Sequence, residues 1–303
     1  MNETFLVTGG EGFIGRNIIS KIREMGGEAY SLDIVGKPDF KISITNRTKF
    51  NDINKKLDGI FHLAAVTSPP QFETDPDKGL KVNVNGTYNV LDFARKHGVN
   101  KVVLASSSAI YGDSREIAVE SKYPDRYQNL YPVTKIVDEL FSRHFSLRKE
   151  VECVSLRYFN TFGPGENTKG AYSSPISKFI SAAIKGKDIE IFGDGTQSRD
   201  FIYVKDTAAA SIAAYEHGRA GESYNIGTGV TTSFNEIAKL VKSISKSDSR
   251  IMHVKNPFKN YQMFTQADMK KTNSELKFRP QYNLKRAITE MMERRKKQGS
   301  KSS

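Results

Sequence analysis

The chain has 303 residues, 38% apolar and 26% charged, an ordinary globular mix long enough for a sizeable core and two domains. No apolar run approaches the ~20 residues of a membrane span, and the opening MNETFLVTGG enters a strand without a signal-like basic segment, so a cytoplasmic protein with no membrane partner is expected. The net charge of +12 sits partly in residues 285–303, with seven Lys/Arg against two Glu; no aromatic–basic nucleic-acid motif accompanies it, so an anionic small substrate is expected and nucleic acid is not.

TFLVT (4–8) reads as a strand, followed at once by glycines and an amphipathic helix over 17–26. AYSLDIV (29–35) and GIFHLAA (59–65) are the next strands, and TSPP (67–70) is a Pro-rich loop. A helix over 82–98, a strand over 101–106, a helical stripe over 131–148 and a strand over 151–159 follow. Strands alternating with helices predict an α/β, Rossmann-type doubly wound parallel sheet over residues 1–164. The single cysteine, Cys153, falls in that last strand and reads as a buried small apolar residue. Past GPGENTKGAYSSP the elements shorten: a helix (176–186), a strand and turn (189–197), and helices (206–217, 233–245). They predict a smaller C-terminal α/β substrate domain over 165–292, with segments near 198–227 returning to the first domain and 293–303 a basic flexible tail. The five histidines show no metal-ligand spacing, so no metal is expected.

GGEGFIG (9–15) sets Gly9, Gly12 and Gly15 at G-x-x-G-x-x-G spacing between a strand and a helix. Glycines permit a tight turn and close backbone approach, and the helix N-terminus offers N–H groups to a pyrophosphate. Asp33, 18 residues after Gly15, suits a ribose diol and repels a 2′-phosphate, which favours NAD over NADP. YPVTK (131–135) places Tyr131 and Lys135 at i and i+4, on one side of a helix. A lysine beside a tyrosine lowers the phenol pKa, and a phenolate can take a hydroxyl proton while hydride leaves to a nicotinamide.

With TGGEGFIG, FHLAA (61–65), VNVNGTYNVL (82–91), SSSAIYG, YPVTK, LRYFNTFGP (156–164), FGDGTQSRDFIYVKD (192–206) and YNIGTG (224–229), the chain resembles the extended short-chain dehydrogenase/reductases, in particular the NAD-dependent nucleotide-sugar epimerase/dehydratase group, over nearly its whole length. The resemblance implies Tyr131 as catalytic acid/base, Lys135 on the nicotinamide ribose, and Ser107 on the reacting sugar hydroxyl. It implies Gly9, Gly12, Phe13, Ile14, Gly15 and Asp33 at the adenosine and pyrophosphate end, with Ser43-Ile44 where the family has Asp-Ile near the adenine. Leu63, Ala64, Ala65, Asn83, Ser106 and Tyr158 would line the cofactor. Thr67, Ser108, Asn160, Lys169, Arg199, Tyr261 and Gln262 would meet the substrate, Arg199 at its diphosphate.

The residues after the catalytic hydroxyl separate reactions in this family. Its 4,6-dehydratases carry Asp and Glu there and its decarboxylases a glutamate; Ser108 and Ala109 cannot do that proton work. The resemblance therefore implies hydride out and hydride back through a 4-keto sugar: a UDP-hexose 4-epimerase acting on UDP-glucose/UDP-galactose or their N-acetyl forms. NYQMFTQAD (260–268) is instead similar to ADP-glycero-manno-heptose 6-epimerases, in which Lys169 would match a second base. An NADPH-dependent keto-sugar reductase and a non-catalytic NAD sensor are the remaining alternatives. Family members pair as homodimers through two helices per subunit, here 82–97 and 131–148, with Phe141 and Phe145 at the interface or in the core.

Overall fold

The computed structural model describes residues 2–67, 69–124, 126–127, 129–166, 173–257 and 262–299. In chain order the elements are β1 (Thr4–Thr8), α1 (Phe13–Glu24), β2 (Glu28–Asp33), β3 (Phe40–Lys41), α2 (Arg47–Asn51), β4 (Gly59–His62), α3 (Pro69–Thr74) and α4 (Pro76–Leu80). A π-helical turn, Lys81–Asn85, runs into α5 (Gly86–Lys96); then come β5 (Lys101–Ser107), a 3-10 turn (Ser108–Tyr111), α6 (Leu130–Leu147), β6 (Glu152–Tyr158) and β7 (Asn160–Phe162). The remainder is α7 (Pro175–Ile184), β8 (Ile189–Phe192), β9 (Ser198–Tyr203), α8 (Val204–His217), β10 (Ser223–Ile226), β11 (Thr231–Ser233), α9 (Phe234–Ser245), β12 (Ile251–Val254), α10 (Lys270–Glu275) and α11 (Leu284–Gly299).

Seven parallel strands form the main sheet, in the order β3-β2-β1-β4-β5-β6-β10. Its central strands are near-continuous apolar runs, GIFH in β4 being buried throughout, because helices cover both faces of a parallel sheet. On one face Ile18 and Ile22 of α1 and Ala208 and Ile212 of α8 pack over Phe5, Phe61 and Leu156. On the other, Phe50 of α2, Leu91 and Phe93 of α5 and Phe145 of α6 cover Leu6, Ile60 and Val102. Each such side chain, fully buried, contributes about 1.5–3 kcal/mol. Cys153 lies in this second core, where burial pushes its thiol up to about 12 and keeps it an apolar filler.

Two small sheets, β11-β9-β7 and β12-β8, make up a second unit with α7, α9 and α11 around Phe162, Ile180, Phe201, Ile237 and Ile288. The chain leaves the main sheet after β6 and returns through α8 and β10, so the two cores interleave. Several boundaries differ from the periodic reading. α1 begins at Phe13, directly on the glycine loop, rather than at 17. Part of TSPP is helical, since Pro69 opens α3 as a first-turn proline can. The last helix runs to Gly299, through most of the segment expected to be a flexible tail.

Candidate active site at the carboxyl ends of the main sheet

The glycine loop is built by contact as much as by conformation. Gly9 has φ +69°, and a Cβ there would lie 2.8 Å from the Ala64 nitrogen. A Cβ on Gly15 would lie 2.3 Å from the Gly9 oxygen, so the first turn of α1 presses against the loop. Gly12 caps α1 without a side-chain hydrogen bond, and no acidic residue stands in the first turn, so the helix presents its N–H end and positive pole outward. Asp33 ends β2 beside this loop: one oxygen accepts from Glu11 N at 3.1 Å and the other from Ile34 N at 2.7 Å. This arrangement fits a pyrophosphate with a ribose at Asp33.

Next to it lies the loop after β4. Leu63 N donates to Thr8 O at 3.0 Å and Ala64 N to Thr8 Oγ1 at 3.3 Å, which draws Leu63 and Ala64 against the glycine loop, with Ala65 following. Thr67, further on, is exposed. Asn83, on the π-helical turn, is fully buried. Its Oδ1 accepts from Val66 N at 2.8 Å, while its Nδ2 donates to Val66 O at 3.0 Å and to Thr134 Oγ1 at 3.0 Å. Asn83 therefore fastens the loop after β4 to α6.

Tyr131 and Lys135 stand in the first two turns of α6, whose start is fixed by Asn129 accepting from Tyr131 N at 3.1 Å. Both are buried, and the Tyr131 ring lies 6.0 Å from that of Phe72 in α3. Lys135 Nζ is 3.0 Å from Asp138 Oδ2. Burial alone would pull the ammonium down, but the Asp138 and Tyr131 oxygens hold it above the ordinary lysine value. Ser107 ends β5; its Oγ accepts from Ala109 N at 3.1 Å, which leaves its proton to be donated.

Four residues expected at the cofactor have partners within the protein. Ser106 and Ser107 are neighbours on a strand and so point to opposite sides of the sheet. The Ser106 hydroxyl accordingly donates to Glu139 Oε1 at 2.7 Å in a buried polar network, away from Ser107. The Tyr158 hydroxyl pairs with Ser211 of α8 at 2.8 Å. Ile44 is a core residue, and Ser43 turns its hydroxyl to Thr45 Oγ1 at 2.8 Å.

Of the residues expected at the substrate, Ser108 and Gln262 share a cavity of about 240 Å³ with Tyr111, Tyr123, Phe159 and Thr265. Gln262 Nε2 closes one side by donating to Gly112 O at 3.0 Å. Asn160 is tied to Thr265 Oγ1 at 2.9 Å and to Asp200 O at 3.2 Å. Arg199 is largely buried, its guanidinium 5.9 Å from the Phe234 ring centre. Lys169 and Tyr261 lie outside the described residues. Sequence reasoning missed His62 and Asp138. FHLAA contained the histidine and the Tyr-x-x-x-Lys helix the aspartate, but neither showed a partner in sequence. His62 bridges Thr8 Oγ1 at 2.7 Å and Thr87 Oγ1 at 3.0 Å, and burial together with the Lys135 charge pulls its pKa down to about 3, so the ring is neutral.

Residues 5–227 match the model of the NAD dependent epimerase/dehydratase family. A putative UDP-glucose 4-epimerase of Methanocaldococcus jannaschii is 33% identical over 93% of this chain and 95% of its own length. A UDP-N-acetyl-alpha-D-glucosaminuronate decarboxylase of Bacillus cytotoxicus is 32% identical over 84% of each chain. Among solved structures, the UDP-glucose 4-epimerase of Thermotoga maritima with UDP-glucose is similar, with a TM-score of 0.90 and 27% identity, covering 97% of this chain and 99% of that one. A doubly wound sheet with a glycine loop and a Tyr-x-x-x-Lys helix defines a nucleotide-dependent enzyme of the extended short-chain dehydrogenase/reductase type. The chain belongs to the NAD-dependent epimerase/dehydratase family, and its cofactor is NAD. Among the described residues no helix is long and apolar enough to cross a membrane, and no group of three His, Cys, Asp or Glu could hold a metal ion.

Proposed function

We propose that this protein is a UDP-hexose 4-epimerase, interconverting UDP-glucose and UDP-galactose or their N-acetyl forms in the cytoplasm. The observation that carries the reading is the pair Ser108-Ala109 following the catalytic hydroxyl: no acid or base stands there for elimination or decarboxylation, while Tyr131, Lys135 and Ser107 supply what a reversible oxidation needs. Bound NAD would supply the hydride acceptor for the sugar carbinol and the hydride for its return. Ser107 donates to and orients the C4 hydroxyl, Tyr131 takes its proton, and Lys135 stabilises the phenolate by its charge. After the keto sugar has turned its other face within the site, Tyr131 would return the proton to the same oxygen. Gly12 and the first turn of α1 would hold the pyrophosphate of the cofactor, and Asp33 its ribose. Asn160, Arg199 and Gln262 surround the nucleotide-sugar side.

The same reading includes a homodimer. Leu140, 54% exposed, and the exposed Val133 and Leu147 lie on α6, and Tyr88 of α5 packs its ring 6.0 Å from Phe141. Phe145 belongs to the core, so the apolar face left for a second copy is formed by the other residues.

Proton NMR of the purified protein with UDP-glucose, UDP-N-acetylglucosamine, UDP-glucuronate and ADP-glycero-manno-heptose, each without added NAD, tests the proposal. The expected result is a galacto-configured product from a UDP-hexose. Loss of carbon dioxide from the glucuronate, or turnover of the heptose alone, would replace the 4-epimerase reading.

A further inference from the structure

Lys135 and Asp138 form an ion pair with N···O 3.0 Å and side chains only 4% and 3% exposed. The proton transfers above use Tyr131 and Lys135 and leave this carboxylate without a task. It is not a spare anion of the neighbouring network. Glu139, the next residue, is committed to Arg157, with contacts of 2.9 and 2.7 Å. Taking an ammonium and a carboxylate out of water is costly unless each offsets the other, so the pair marks a place where a charge must be kept at depth.

The carboxylate is itself held. The Thr87 hydroxyl of α5 faces Asp138, although Oδ1 has no formed hydrogen bond among the described residues. Thr87 Oγ1 lies 3.0 Å from His62 Nε2, and His62 Nδ1 lies 2.7 Å from Thr8 Oγ1. Thr8 is the last residue of β1, one position before Gly9. Hydrogen bonds thus run from the strand that carries the glycine loop to Thr87, which stands beside the carboxylate that meets the Lys135 ammonium.

We propose that Asp138 is the positioning counter-ion of Lys135, keeping the lysine charged and fixed beside Tyr131, and that Thr87, His62 and Thr8 set this carboxylate against the strand bearing the glycine loop. The inference rests on the reading of Tyr131 and Lys135 as the acid–base unit. The groups facing Lys135 are Tyr131, Asp138 and Glu139 on α6 and the neutral His62 on β4, with Thr87 of α5 beside the carboxylate. Asp138 is the anion in direct contact with it. Removing that anion leaves burial to act on the ammonium, so Lys135 should lose its proton at lower pH.

NMR of isotope-labelled lysine side chains in the NAD-loaded protein reads this directly, with the Lys135 signal assigned by its loss in Lys135→Met. In Asp138→Asn the Lys135 titration midpoint is expected to fall by at least about one pH unit, and the alkaline limb of kcat/KM for the UDP-hexose to fall with it. Asp138→Glu, which restores the charge, should return the midpoint towards the wild-type value. If Asp138→Asn does not fold, Asp138→Ser is read in the same way. An unchanged midpoint in the charge-removing variant overturns the proposal, even if turnover drops. A lowered midpoint in a protein that turns over no nucleotide sugar supports the counter-ion and removes the functional reading instead.

Discussion

Arg157 clasps Glu139 at two points in the core, Nε to Oε1 at 2.9 Å and Nη2 to Oε2 at 2.7 Å, with both side chains almost wholly buried. Ser106 and Ser223 donate to the same carboxylate, and the Tyr111 hydroxyl accepts from Arg157 Nη1 at 2.8 Å. Removing one partner leaves an uncompensated buried charge, so Glu139→Ala or Arg157→Leu should each cost about 3–5 kcal/mol in urea denaturation. The double variant should cost much less than the sum of the two. Burial alone would raise the Glu139 carboxyl, but the Arg157 contacts hold it below its ordinary value. A depressed folded-state pKa gives stability that is complete at neutral pH and lost as the pH falls through that value. Wild-type stability should therefore fall more steeply in acid than that of Glu139→Gln.

Tyr131→Phe keeps the ring packed against Phe72 and removes the proton carrier. Turnover should fall by about 10²–10⁴-fold, with the melting temperature and bound NAD close to wild type. Retention of full turnover would place the acid–base step elsewhere.

Gly9→Ala puts a Cβ 2.8 Å from the Ala64 nitrogen at a backbone with φ +69°. The strain should destabilise the fold by more than about 1 kcal/mol and deform the loop that meets the pyrophosphate. Thermal melting and the NAD released on denaturing the purified protein measure the two effects separately. A variant with undiminished NAD content would remove the loop from the cofactor site.

Leu140→Glu tests the homodimer. Leu140 is 54% exposed and projects from α6, so the substitution should leave the monomer fold intact. Light scattering at micromolar concentration should read a dimer for wild type and a monomer for the variant. A monomeric wild type would rule the dimer out.

The parts legible in the sequence were those written in local spacing. The glycine triplet between β1 and α1 and the Tyr131–Lys135 pair on one helix each lie within a few residues, and periodic apolar runs marked the central strands. Other features eluded that reading, most of them because they depend on partners far along the chain. Asp138 is one helical turn from Lys135, but its burial against α5 is tertiary. His62 gains meaning only when β1, β4 and α5 converge on it. Ser106, expected by resemblance to line the cofactor, points to the opposite side of the sheet from Ser107 by strand alternation, and its partner Glu139 lies 33 residues along the chain. The bonds of Asn83 to Val66 arise from the π-helical turn, which no periodic signal announced.

β10 is the last strand to join the main sheet, and it does so beside β6 after the chain has already visited β7, β8 and β9. Ser223 and Asn225 on that strand complete the polar bonds to Glu139 and Tyr111. On the ribosome, a nascent chain that has emerged only through β6 therefore holds an unpaired parallel edge and a half-solvated ion pair. Such an edge is a template for pairing with other chains. From residue 158 to residue 226 a growing chain lacks the strand that closes this edge.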